Sequence, residues 1–390
     1  MHMKIAERFS QIPSSAIRVM VDRAYQMEME GVRIAHFELG RPDFDTPAVI
    51  KAATKMALDR GDVHYGPNAG IPVLRKAVAR YMSERRGVTW DADQILMTNG
   101  SIEALYLSLM TVVEPGDEVL IPEPCWTPYP AVVRLIGAVP RLIPLQVDNG
   151  FRLDVGALHR AVTPRTKALF LNSPHNPTGA IFDLSTLERV AELARRHDLL
   201  VVSDEVYEQI CFDGQTAPTI SALPGMQELT AVVSGFSKTF SMTGWRIGYV
   251  ALPRPLVRPA LLTHTNVNTS INTFIQHGAL AAIESAGPDV ARMSAEYQKR
   301  RDEAVRCLQA MPNVTLTPGG GSFFLFPRFN GYSDDQQLAL ILLQEAHVAT
   351  VPGSAFGPTG AGHLRLSFSC DMESIAEGLE RLNRWLMARA

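Results

Sequence analysis

The sequence predicts an α/β protein, with a large domain built on a mostly parallel central sheet flanked by helices and a smaller α+β domain. Three observations carry this expectation. Short apolar runs alternate with stretches of helical spacing through the middle of the chain, which is how buried parallel strands and their crossover helices read. After about residue 290 the alternation stops, giving way to a long charged helix, a glycine-rich turn and short apolar runs. The 390 residues also suffice for about two or three domains with a large core. The expected division is a large domain over 41–289 and a second unit formed by 1–40 together with 290–390.

Taken in order, Ile17, Val19, Met20, Ala24 and Met27 recur at helical spacing and predict a helix over 15–30. LGRPDFDTP (39–47) contains two prolines and a glycine, so a loop is expected there. Helical spacing resumes in AVIKAATKMAL (48–58). The run 95–97 leads into a helix over 101–113, and DEVLIP (117–122) is followed by PYPAVVRLIG (128–137). KALFLNSP (167–174) precedes a helix over 185–197, and LLVVSDEVY (199–207) and LTAVVSG (229–235) are two further strands. Beyond 290 come the charged helix MSAEYQKRRDEAVRCLQAM (293–311), VTLTPGGGSFFLFPRF (314–329), another helix, and GHLRLSFS (362–369). No internal repeat or low-complexity tract interrupts the chain.

Composition narrows the function. Apolar residues make up 46% and charged residues 20%, as in a globular enzyme or binding protein. A net charge of −3 provides no basic surplus for nucleic acid or an anionic membrane. The four cysteines are scattered with no CxxC pair, so reduced thiols are expected, with neither disulfides nor a metal site. MHMKIAERFSQIP lacks the apolar stretch of a signal peptide, and no run approaches the ~20 apolar residues of a membrane span. The expected location is the cytoplasm.

The chemistry sits at the strand ends. LFLNSPHNPTG closes with Asn172 and Asn176, LLVVSDEVY with Asp204 and Tyr207, and AVVSGFSK with Lys238. Singly these are turn, cap and surface residues. On neighbouring parallel strands they converge on one cleft, where α/β sheets bind ligands. In TNGSIEALYLSL (98–109) a strand meets a helix through Asn99, Gly100 and Ser101. The free N–H groups of such a helix start suit a phosphate; ordinary N-capping by Ser101 explains the pattern equally well. Neither a Walker lysine nor a strand followed by GxGxxG is present. Arg246 offers a cation opposite the helix start. A lysine for an imine, an acid for a ring nitrogen, donors for a ring oxygen, an aromatic face and a phosphate cradle together describe a site for pyridoxal 5′-phosphate (PLP).

In order along the chain, LGRPDFDTP, YGPNAGIPVLRKAV, TNGSIEALYL, PGDEVLIPEPCWTPY, NSPHNPTG, SDEVYE, SGFSKTFSMTGWRIGY and HLRLSFS resemble the class I/II aminotransferases of PLP fold type I, the aspartate aminotransferase-like enzymes. The resemblance spans nearly the whole chain. It implies that Lys238 forms the imine and carries a proton, that Asp204 faces the ring nitrogen, and that Asn176 and Tyr207 serve the ring oxygen. Trp126 would stack on the ring. Gly100, Ser101, Ile102, Ser237 and Arg246 would hold the phosphate. Arg365 would grip the substrate carboxylate, helped by Asn176, Trp126 and Gly40. Tyr65 resembles the tyrosine that reaches the partner subunit's phosphate, which implies a homodimer with shared sites.

The implied activity is a ping-pong exchange of an α-amino group between an L-amino acid and a 2-oxo acid, placing the protein in amino acid metabolism. A carbon–sulfur β-lyase on the same scaffold is the alternative. Gly235 departs from the pattern, standing where many relatives have a phosphate-binding serine. The glycines of TPGGGSFFLF (317–326) read as shaping the substrate pocket or as a turn before a strand. No role is expected of His64, His264 or His277.

Overall fold

The structure, a computed structural model, describes residues 3–12 and 16–389. The helix expected over 15–30 runs Ala16–Met29, with Ser15 outside the described residues. The central sheet has eight strands. Across it lie Ile95–Thr98, Gly248–Ala251, Thr230–Gly235, Leu200–Asp204, Thr166–Asn172, Glu118–Glu123, Val139–Gln146 and Arg152–Leu153. The five strands from Thr230–Gly235 to Val139–Gln146 pair in parallel. The expected mostly parallel sheet is what folds.

Side chains alternate between the two faces. Ala168, Phe170 and Val202 enter one apolar cluster, whereas Leu169, Leu171 and Val201 enter another. Helices close both faces, which is why these strands are apolar throughout rather than alternating. Helix Ser101–Met110 buries Ala104, Leu105, Leu107 and Leu109 on the first face. Helix Leu184–His197 buries Leu187, Val190, Ala191, Leu193 and Ala194 on the second. It starts where Asp183 accepts from the Thr186 N–H at 2.7 Å, and ends at Asp198 in the left-handed region. Each fully buried leucine or phenylalanine contributes about 1.5–3 kcal/mol. Phe170→Ala in the central strand would cost roughly 3–5 kcal/mol.

Strand Gly248–Ala251 is not among the expected strands. It runs antiparallel to both neighbours. Residues 236–247 link it to Thr230–Gly235 by turns and one short 3-10 turn, Thr243–Trp245, with no α-helix to carry a parallel crossover. The chain therefore doubles back and places Lys238 and Arg246 on the same short return.

The remaining elements pack beside this sheet. Ala35–His36 pairs in parallel with Val348–Ala349, tying the N-terminal segment to the C-terminal region. Phe324–Leu325, Leu364–Ser367 and Val351–Pro352 form a small antiparallel sheet with Leu364–Ser367 at its centre. Helix Gly287–Gln309 and helix Met372–Met387 complete this part; the latter buries Ile375, Leu379, Leu382 and Leu386 and is capped by Asp371. Among the described residues no helix is long and apolar enough to cross a membrane.

Candidate active site

Register places the polar strand ends together. Asn172 lies opposite Asp204, and Asp204 opposite Val233, so two parallel strands stop at one level and the third runs two residues further, to Gly235. Beyond them opens a cleft of about 420 Å³. Its wall includes Gly40, Ser101, Ile102, Trp126, Asn176 and Asp204, and, from later in the chain, Tyr207, Ser237, Lys238, Arg246 and Arg365. Of the expected site residues, only Gly100 and Tyr65 are not on the wall. A larger concavity of about 740 Å³ adjoins it, but its acids are already paired, Asp43 with Arg300 and Asp45 with Lys51.

Asp204 is fully enclosed. Its Oδ2 accepts from the Tyr129 hydroxyl at 2.8 Å and its Oδ1 from the Val206 N–H at 3.2 Å. Burial pushes its carboxyl up to about 6, against the opposing pull of these two hydrogen bonds. Tyr129 is a site residue that sequence reasoning missed. The available signal is a tyrosine between two prolines, three residues after the strand-end segment PEPCW. It stacks on Phe170 at 4.7 Å and meets Trp126 edge-on at 5.4 Å, so Tyr129 fixes the acid and the tryptophan together.

Lys238 donates to the Gly40 carbonyl at 2.6 Å. Burial lowers its pKa to about 8, reinforced by repulsion from Arg365 and Arg246 and partly offset by Asp204. An amine near 8 supplies a useful fraction of neutral nucleophile at physiological pH. Burial pushes the Tyr207 phenol up, keeping it a donor.

Arg365 projects from the centre of the small antiparallel sheet. Nη2 donates to the Glu38 carbonyl at 2.6 Å and Nη1 to Asn176 Oδ1 at 3.4 Å, while buried Nε has no partner. Its guanidinium lies 4.5 Å from the Phe324 ring centre. Burial lowers its pKa to about 10. A buried guanidinium with an unsatisfied N–H is held ready for an anion.

Asn176 is positioned from both sides. Its N–H donates to Asn172 Oδ1 at 2.8 Å, and Asn172 Nδ2 donates to the Asp204 carbonyl at 3.0 Å. The glycine-rich segment clasps the turn that carries it. Gly321 N–H donates to the Gly179 carbonyl at 3.0 Å, and a Cβ at Gly319 would lie 2.3 Å from the Gly179 carbonyl carbon. The segment leads into strand Phe324–Leu325, as the reading of a turn before a strand expects, but that reading does not include the clasp. It is a brace for the NPTG turn, and Phe324 alone of 317–326 reaches the cleft wall.

Helix Ser101–Met110 points its N-terminus at the cleft. The capping position is Gly100, with no side-chain cap, so Ser101 does not act as the N-cap. The first-turn N–H groups stay available to an anion. Gly100 has φ +75°, and a Cβ there would lie 2.4 Å from Arg246 Nη2, so this glycine is what lets the guanidinium close on the helix start. At Gly235 a Cβ would approach Gly248 Cα to 3.2 Å and the Ile247 carbonyl to 3.3 Å. The two strands are too close there for a side chain without some yielding of the backbone.

Tyr65 is 89% exposed and lies in a separate concavity with Ser270, Asn272 and Phe274. Within one chain it does not reach the cleft. His264 is buried, with Nδ1 2.8 Å from Glu103 Oε1.

The charges test the fit of the expected cofactor. Three cations, Lys238, Arg246 and Arg365, face the single carboxylate of Asp204. Such a wall calls for anions, and a phosphate with a carboxylate supplies them. The uncapped helix start and the orphaned Arg365 N–H fit those two groups.

Residues 33–382 match the family model for aminotransferase class I and II. The chain is 37% identical to a probable aspartate/prephenate aminotransferase of Aquifex aeolicus, covering 99% of each. It is 39% identical to aromatic-amino-acid aminotransferase 2 of Thermococcus litoralis, covering 98% of each. Aspartate aminotransferase from Thermus thermophilus, solved with maleate, superposes with a TM-score of 0.93 at 34% identity, over 98% of this chain and 100% of that one. The fold is that of PLP fold type I. The chain belongs to the class I and II aminotransferases. It is an enzyme, a transferase that moves an α-amino group from an L-amino acid to a 2-oxo acid, in a family that depends on PLP.

Proposed function

We propose that the cleft at the strand ends binds PLP and performs both halves of the transamination, with Lys238 as covalent anchor and proton carrier. The observation that carries this is the pairing, in one cleft, of a lysine lowered to about 8 with a buried carboxyl raised to about 6. When bound, the pyridine ring supplies a sink for the electron pair left when the substrate Cα loses its proton.

Asp204, held by Tyr129 and Val206, keeps a proton at the ring nitrogen. Asn176 and Tyr207 donate to the ring oxygen, and Trp126 covers a ring face. The N–H groups of Gly100, Ser101 and Ile102, with Ser237 and Arg246, hold the phosphate. Arg365 grips the substrate α-carboxylate with Asn176, Trp126 and the backbone of Gly40. Lys238, when not bonded to the cofactor, would carry the proton between the substrate Cα and C4′. The same residues serve the reverse direction for the 2-oxo acid, which is the economy of a ping-pong enzyme.

The exposure of Tyr65 supports a homodimer in which this side chain completes the partner's phosphate site. The pairing of Ala35–His36 with Val348–Ala349 supports grouping 1–40 with 290–390 as a unit apart from 41–289. Substrates of this class and the composition support a cytoplasmic place in amino acid metabolism.

Lys238→Ala tests the assignment. The variant is expected to bind PLP reversibly, to lack the absorbance of the covalent lysine–cofactor bond, and to release all PLP after borohydride treatment. Retention of the covalent absorbance would place the anchor on another lysine.

A further inference from the structure

We propose that the side-chain subsite of the cleft takes a neutral, apolar side chain, so that monocarboxylic amino acids are preferred over aspartate and glutamate. This rests on the assignment of PLP and the α-carboxylate to the cleft. The first observation is an inventory of charge. Among the described residues the wall holds Lys238, Arg246 and Arg365 as its only cations. Lys238 bonds the cofactor, Arg246 faces the phosphate, and Arg365 takes the α-carboxylate. No cation on the wall is then left for a second carboxylate. Arg41, next to Gly40 in sequence, lines the neighbouring concavity instead, and Arg18, next to Ile17, is not on the wall.

The second observation is what surrounds the carboxylate grip. Phe324 lies under Arg365, and a Cβ on Gly40 would sit 3.2 Å from the Phe324 ring and 3.8 Å from Arg365 Nη2. A side chain borne on the carbon next to the gripped carboxylate must therefore run close to Phe324. Ile17, from the start of the N-terminal helix, is on the same wall and packs against an apolar cluster. The next charge behind Arg365 is Glu38, fully buried, its Oε2 without a partner. Its Oε1 pairs with His36 Nδ1 at 2.8 Å, and this pair offers no free cation to an incoming carboxylate. A second carboxylate brought here would shed water without gaining a counter-ion, whereas an apolar side chain loses nothing by desolvation.

The test uses full-length holoenzyme and calorimetric binding of unreactive carboxylates. Binding of 3-phenylpropanoate and 4-methylpentanoate is expected to be at least tenfold tighter than that of succinate or maleate. In single-turnover spectra, phenylalanine, leucine and methionine should convert the holoenzyme at least tenfold faster than aspartate or glutamate at equal concentration. Ile17→Lys should tighten succinate at least tenfold. Succinate binding as tightly as the apolar acids, or aspartate or glutamate converting within tenfold of them, overturns the proposal; a cation contributed by a second subunit would produce that result. Binding in the expected order without conversion by any amino acid would support the subsite and sink the transamination assignment on which the donor preference rests.

Discussion

Asp204→Asn separates what the site costs the fold from what it gives the cofactor. The Asp204 carboxyl sits at about 6, against an ordinary value of 3.8, because burial penalises its charge more than Tyr129 and Val206 relieve it. At 1.36 kcal/mol per tenfold, this amounts to about 3 kcal/mol. A carboxyl raised in the folded state adds stability below its unfolded value, and that stability is lost as pH rises through the folded one. In the PLP-free protein the loss falls between about pH 4 and pH 6. Asparagine keeps an acceptor for Tyr129 and carries no charge, so it avoids the loss. Urea unfolding of PLP-free wild type and variant, at fixed protomer concentration, checks this. The variant's stability relative to wild type should rise by up to about 3 kcal/mol from pH 4 to pH 7. PLP affinity should change the opposite way, falling roughly 10- to 100-fold at pH 7 for the loss of a charged hydrogen bond of about 1.5–3 kcal/mol. A stability difference that is flat with pH would refute the claim that Asp204 is held charged against its surroundings.

Two further outcomes are expected. Arg365→Ala should raise KM for amino donors roughly 10- to 100-fold, the worth of about 1.5–3 kcal/mol of charged hydrogen bonding, with PLP content unchanged. Unaltered KM would move the carboxylate grip elsewhere. Mixed dimers of Tyr65→Phe and Lys238→Ala subunits should contain one complete site and recover activity above either parent. No recovery in verified mixed dimers would place Tyr65 outside the shared site.

Much of this site is legible in the sequence because its central polar residues are adjacent to strands the apolar pattern reveals. Asn172, Asp204 and Lys238 stand at or just past the ends of three such runs, and parallel pairing suffices to gather them. Tyr129 escaped because its partner is 75 residues away along the chain, and a tyrosine in a helix carries no mark of which buried acid it will meet. The glycines of 317–326 resisted for a similar reason. Their backbone contacts are with Gly179 and with 210–212, and spacing records no contact between loops. The antiparallel strand Gly248–Ala251 was missed because the turns of 236–247, which reverse the chain, leave no mark in the apolar pattern.

The sequence alone determined which chemistry the chain can perform: strand-end polar residues, a helix start without a Walker lysine, and an ordered set of motifs fix the class of cofactor and reaction. Local pattern is enough for that, since each motif is a few consecutive residues on one element. Only the tertiary structure decided how those groups are tuned. Burial raises Asp204, burial reinforced by repulsion from the arginines depresses Lys238, Gly100 admits Arg246 to the helix start, and Phe324 and Ile17 line the wall beside Arg365. These are effects of solvent exclusion and of charges brought close in space, and neither distance nor dielectric is written in the order of residues.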